Sequence, residues 1–108
     1  MAKAKYDVIV VGAGSAGAAL ATRLSEDPSL NILLIEAGHD YANIDELPDE
    51  IKQGHATGTD MAVDPDGEHN WAFTGKATPL IPDMPVPRGK VTGGTSAING
   101  QVYLRAIP

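Results

Sequence analysis

A glycine-rich turn set between a β-branched run and a helical pattern constrains this chain more than any other feature. Tyr6-Asp7-Val8-Ile9-Val10-Val11 is a short, largely apolar stretch stopped by Gly12. A run of that length, punctuated by glycine, fits a strand buried on both faces of a parallel sheet. Gly12-Ala13-Gly14-Ser15-Ala16-Gly17 follows directly, and Ala16, Ala19, Leu20 and Leu24 then recur at helical spacing. Arg23, Ser25, Glu26 and Asp27 give the helix a polar end, and Pro28 cannot continue it, so it is expected to stop near Asp27. Residues 31–36 form a second buried strand, which ends in Glu36 and is closed by Ala37-Gly38. Strand, glycine turn, helix and strand over residues 6–36 make one right-handed βαβ unit.

That geometry suits a dinucleotide. Gly12 permits the tight turn, Gly14 lets backbone approach a pyrophosphate, and Gly17 lets the helix pack closely on the strand. The free N–H groups and positive dipole end of the helix then hold phosphate. Glu36 lies 19 residues after Gly17, near the ~20 expected of an acidic residue that accepts ribose hydroxyls. The same charge repels a 2′-phosphate, which disfavours NADP. Spacing alone leaves FAD and NAD both open. The longer pattern Gly17-x-x-x-Ala21-x-x-Leu24, followed by Glu36, resembles the flavoprotein form of the fingerprint.

The rest of the chain has a different texture. Residues 38–87 are a polar linker, broken by Pro48, Pro65 and several glycines, in which a short helix around Asp49–Gln53 is expected and little else. Pro79, Pro82, Pro85 and Pro87 favour extended or turn backbone over regular elements. Asp64-Pro65-Asp66-Gly67 suggests a calcium loop, but no glutamate stands at the required later position, so a Pro-Asp-Gly turn is expected. Asp45, Glu46, Asp49 and Glu50 are expected to solvate a helix start, and His39, His55 and His69 to lie at the surface. Ser15 does not sit in a nucleophile elbow, since G-x-S-x-G spacing is not met.

Composition narrows the function. Eight Lys and Arg against fourteen Asp and Glu give a net charge of −6 in 108 residues, which argues against nucleic acid or an anionic membrane as partner. No cysteine is present, so disulfide scaffolds, thiolate metal sites and thiol nucleophiles are excluded. The longest uncharged run, between Asp7 and Arg23, is short of the ~20 residues of a spanning helix. The expected compartment is the cytoplasm.

A second glycine segment is less generic. Pro87-Arg88-Gly89-Lys90-Val91-Thr92-Gly93-Gly94-Thr95-Ser96-Ala97-Ile98-Asn99-Gly100 places two glycines before two hydroxyls, beside Arg88 and Lys90. Exposed backbone N–H groups there suit further phosphate oxygen, although spacing alone equally allows a loop with a helix N-cap at Thr95 or Ser96. With Asp7–Glu36 and with Trp71-Ala-Phe-Thr ahead of Pro79, this stretch resembles the glucose–methanol–choline (GMC) flavin oxidoreductases. Residues 1–108 then correspond to the N-terminal part of their FAD-binding domain, with residues 88–104 as the second cofactor loop. The implied fold is α/β: a Rossmann-like βαβ unit, incomplete alone, within a larger doubly wound FAD domain.

The resemblance implies a role for individual residues. Gly12, Gly14, Ser15, Ala16 and Gly17 would hold the adenylate-side pyrophosphate, and Glu36 and Ala37 would meet ribose and adenine. Trp71 would pack beside the dinucleotide. Arg88, Gly89, Val91, Gly93, Gly94, Thr95, Asn99, Gly100, Gln101 and Val102 would serve the flavin and its pyrophosphate, largely through backbone. Thr92 departs from the family's aliphatic residue. Ile98 stands where some members carry the histidine that binds FAD covalently, so non-covalent FAD is expected. The family's catalytic histidine and substrate domain have no counterpart here. A larger polypeptide is expected to supply them, together with the remaining FAD domain, for oxidation of a primary alcohol, a small molecule, to an aldehyde by hydride transfer to flavin. No catalytic residue and no metal ligand are assigned within the chain. The alternatives are a stand-alone NAD or adenine-nucleotide module without catalysis, and a non-oxidising family member, a lyase or photodecarboxylase.

Overall fold

The computed structural model of the protein describes residues 4–54 and 57–100. Strand β1, Val8–Val11, leads through the glycine turn into helix α1, Ser15–Leu24, and back to strand β2, Ile32–Ile35. The strands run parallel, with Val8 opposite Ile32 and Val11 opposite Ile35. This is the expected α/β unit, with β1 starting two residues later and β2 one residue shorter at each end. Helix α1 stops at Leu24: Ser25 N–H still bonds Ala21 O, but Glu26 and Asp27 N–H groups bond the carbonyls of Arg23 and Leu24, three residues back, as the chain tightens and turns toward Pro28.

Burial differs from expectation. Val10, Ala13 and Ala21 are buried, but Val11 is 81% and Ile9 56% exposed. A parallel strand is buried on both faces only when further strands flank it and helices cover both sides. Among the described residues this sheet has two strands and one helix, so the Ile9–Val11 face of β1 is open and the end of β2, Leu34 and Ile35, is exposed.

The linker carries more structure than its composition suggests. A 3₁₀ turn at Ile44–Glu46 is capped by the Asn43 side chain, which accepts the Asp45 N–H. Two short helices follow, α2 at Asp49–Gln53, as expected, and α3 at Thr57–Ala62, which was not. Strand β3, Phe73–Gly75, pairs antiparallel with β4, Met84–Val86, inside the proline-rich stretch. Pro85 lies opposite Thr74 in a sheet of two strands, an edge position where its missing N–H is tolerated. The aspartate–proline stretch forms the expected turn, Gly67 N–H donating to Asp64 O at 3.0 Å.

Residues of the linker and of the second glycine segment share a core. Ala62, Val91 and Ile98 are almost fully buried, and Tyr41, Ile51, Val63 and Ala97 pack against them. The segment ends in a 3₁₀ turn, Gly94–Ile98, entered through Gly93 without a side-chain cap. Thr95 and Ser96 are therefore not N-caps, and their hydroxyls are used elsewhere.

Candidate functional site: a cleft between two glycine segments

The first glycine turn is held by its own strand partner. Glu36, at the end of β2, accepts the Ala13 N–H at 2.7 Å with one carboxylate oxygen and the Gly38 N–H at 3.0 Å with the other. Burial pushes its carboxyl up, but the N–H groups of Gly38, Ala13 and Ala37 outweigh that and hold it below the ordinary value. Gly17 makes the helix–strand contact possible: a Cβ there would collide with the Gly12 carbonyl oxygen.

The second segment is laced onto the first. Gly93 N–H donates to Ala13 O at 2.8 Å, and Gly14 and Gly93 form a parallel bridge. Ser15 Oγ lies 3.2 Å from Ser96 Oγ, which itself donates to Gly93 O at 2.6 Å. Thr95 Oγ1 accepts the Gly89 N–H at 3.2 Å. Two stretches almost eighty residues apart thus form one double loop, with the start of α1 and the Gly94 turn facing the same space.

That space is a cleft of about 370 Å³ lined by Gly12, Gly14, Glu36, Ala37, Gly89, Gly94, Thr95 and Trp71, with Val11 and Ile35. Eight sequence-nominated residues meet there. Trp71 forms a wall rather than core: it is 43% exposed, its ring stacks on Phe73 at 5.8 Å, and Lys90 Nζ lies 5.3 Å from its centre. A glycine-bordered floor, a carboxylate beside it and a flat aromatic wall fit a pyrophosphate-linked dinucleotide. Backbone N–H groups can reach the phosphates, and the ring presents a face to a planar group.

Other nominated residues lie elsewhere. Ser15 and Gly93 act in the lacing of the loops, and neither they nor Ala16 nor Gly17 lines the cleft. The Val91 side chain is buried in the core, 1% exposed, because the strap at residues 88–92 turns it inward against Ala62 and Ile98. The Arg88 guanidinium bonds the Pro87 carbonyl at 2.7 Å and lies outside the lining. Asn99 and Gly100 follow the 3₁₀ turn and are not among the lining residues, while Gln101 and Val102 fall outside the described residues. Thr92 is exposed and donates its N–H to His39 O at 2.9 Å, so the departure from an aliphatic residue costs no packing.

Several structural residues carry no motif. Asn70, buried, donates to Val63 O and Asp64 O and accepts the N–H groups of Ala72 and Arg88. Its place directly before Trp71 is the only sequence hint. Of the three histidines expected at the surface, His39 is exposed, His55 lies outside the described residues, and His69 is buried with Glu50 as its partner. His69 is 1% exposed, and its Nδ1 lies 2.6 Å from Glu50 Oε1.

Comparison with known proteins agrees with this geometry. The family model described as lycopene cyclase protein matches residues 7–72, a span that holds the βαβ unit and Trp71 but ends before the second glycine segment. A GMC-type oxidoreductase of Rhodococcus erythropolis, itself uncharacterised, is 37% identical over 107 residues, 98% of this chain and 21% of the relative. Oxygen-dependent choline dehydrogenase 1 of Chromohalobacter salexigens is 41% identical over 107 residues, 94% of this chain and 17% of its own. The chain thus spans about a fifth of the length of these relatives. Among solved structures, pyridoxine 4-oxidase from Mesorbium loti superposes with a TM-score of 0.67 at 31% identity, over 94% of this chain and 18% of that one. Formate oxidase of Aspergillus oryzae, in a structure concerned with FAD modification, gives 0.63 at 28%, over 87% and 16%. The chain therefore falls through its βαβ unit in the family that the lycopene cyclase model describes, and its likeness across both glycine segments makes it a member of the glucose–methanol–choline oxidoreductases.

Proposed function

We propose that this chain is the cofactor-holding part of an FAD-dependent oxidoreductase that converts a primary alcohol to an aldehyde. The observation that carries this is the joining of two distant glycine segments around one cleft with Glu36 and Trp71 on its walls. A stand-alone NAD module has no need of the second segment. Gly12 and Gly14, lacking side chains, would let the adenylate-side phosphate come close to the start of α1, Glu36 and Ala37 would meet the ribose and adenine, and Gly89, Gly94 and Thr95 would border the flavin side. FAD bound here would supply the acceptor for a hydride leaving the alcohol carbon. This chain's residues would hold and orient that group. The base that takes the hydroxyl proton, and the substrate domain, would belong to a larger polypeptide that also covers the open sheet faces. Attachment would be non-covalent, since Ile98 has no nucleophilic atom.

Absorption spectroscopy of the purified assembly tests the reading. A yellow protein with flavin bands, whose colour moves wholly to the supernatant on acid precipitation, is expected. A colourless protein that takes up NAD but not FAD would overturn the flavin assignment, and colour retained on this chain's pellet would overturn the non-covalent one. Size-exclusion with intact mass tests the partner: flavin is expected to elute with a larger polypeptide, and a flavin-loaded monomer of 11.2 kDa would refute it.

A further inference from the structure

A hydrogen-bonded chain of three titratable side chains lies under the second glycine segment, where the proposed function makes no use of it. The His69 ring is 1% exposed, its Nδ1 lies 2.6 Å from Glu50 Oε1 on α2, and its Nε2 lies 2.7 Å from the Tyr41 hydroxyl. A carboxylate only accepts, so Nδ1 donates to Glu50, and Nε2 is left to pair with the Tyr41 hydroxyl. Glu68 stands 3.7 Å from Nε2 on the more open side, and the same Glu68 is 3.3 Å from His39 Nε2. Every ring nitrogen therefore has a partner and the ring is fixed from two sides.

The backbone of the same residue runs to the cofactor loop. His69 O accepts the Lys90 N–H at 2.8 Å, and Trp71 N–H donates to Arg88 O at 2.9 Å, so residues 69–71 and 88–90 form a short antiparallel ladder. Next along, Thr92 N–H bonds His39 O, and Gly93 N–H bonds Ala13 O. Gly89 at one end of this strap and Gly94 at the other line the cleft. The strap is irregular, with few ladder bonds of its own, and its position depends on what holds residues 69 and 70 in place. Asn70 supplies one anchor and the ring of His69 the other.

We infer that His69 is a positioning residue for the cofactor cleft: clamped between Glu50 and Tyr41, it sets the register of the 88–94 strap against the first glycine turn. The inference rests on the proposed FAD site and deepens it. It assigns a role in cofactor retention to a histidine that does not line the cleft. The three side chains act as one unit, because removing any member leaves a buried polar group without its partner.

FAD titration by flavin fluorescence tests it, in the flavin-binding assembly that carries this chain and well below its unfolding transition. His69→Phe is expected to raise the Kd for FAD about tenfold or more. His69→Gln, whose amide can replace one of the two bonds, is expected to recover part of the loss. Tyr41→Phe, the mildest change and the one to use if His69→Phe fails to fold, should raise Kd about threefold to tenfold, as should Glu50→Gln. Both effects should vanish in the His69→Phe background, the mark of residues that act through one chain. Unchanged affinity in folded His69→Phe or Tyr41→Phe, with only a lower Tm, would overturn the inference and leave a purely structural histidine. Additive effects of the three substitutions would overturn it too. A wild-type assembly that takes up no FAD would overturn the functional reading and this inference with it.

Discussion

Replacing Glu36 by glutamine keeps the shape of the side chain and removes what it does. In the native turn the two carboxylate oxygens accept two backbone N–H groups, Ala13 at 2.7 Å and Gly38 at 3.0 Å. A glutamine offers one carbonyl oxygen and turns its NH₂ toward the other donor. One bond weakens from charge-assisted to neutral, at about 1 kcal/mol, and one is lost, at about 1.5–3 kcal/mol, less whatever water recovers at this half-buried site. A net cost of about 2–3 kcal/mol corresponds to about a 30- to 140-fold weaker hold on FAD if the turn must be ordered for binding. Hydrogen exchange of peptides covering Ala13 and Gly38, together with flavin titration, measures both halves of the argument. Faster exchange at both amides and weaker binding are expected. Unchanged exchange at Ala13 would refute the claim that the carboxylate pins the turn, whatever the affinity does. The pH dependence has a definite sign as well. The folded carboxyl sits below its ordinary value of 4.5, so its contribution is complete above that value and is lost as pH falls through the lower folded one. Flavin release in acid should show this titration in the wild type and lack it in Glu36→Gln.

Two further predictions follow from close contacts and burial. Gly38→Ala places a methyl group into the Lys90 carbonyl and the Val91 N–H, and should cost about 1–3 kcal/mol, measured as a lower Tm of the flavin-loaded assembly; an unchanged Tm would mean that the strap shifts freely. Burial first, then the charges of Glu68 and Glu50, holds the Tyr41 hydroxyl above the usual 10.0, so stability should fall as pH rises from 10 through that higher folded value. Alkaline denaturation that is identical in the wild type and Tyr41→Phe would remove Tyr41 from the buried chain.

Local pattern alone determined the βαβ unit. A β-branched run, a glycine that ends it, helical spacing and a second run specify strand, turn, helix and strand without help from the rest of the molecule, which is why residues 6–36 were legible within a residue or two except at the end of α1, which comes at Leu24 rather than near Asp27. Gly12, Gly14, Glu36 and Ala37 were legible for the same reason. Gly89, Gly94, Thr95 and Trp71 were legible as motif residues, but no spacing rule says that they close the same cleft. Tertiary contacts decided that, through the Gly93–Ala13 bond and the strap held by Asn70 and His69. They also decided the fate of residues with no periodic signal. His69 and Glu50, read as a surface histidine and a solvated carboxylate, become partners only when α2 comes to lie beside the chain ahead of Trp71. Val91, read as a lining residue, faces the core because the strap's hydrogen bonds to His39 and His69 on either side of it turn its side chain inward. Hydrophobic periodicity reports which face of a regular element is buried. In irregular chain, backbone hydrogen bonds to distant residues determine which way each side chain points, and no local pattern encodes their partners.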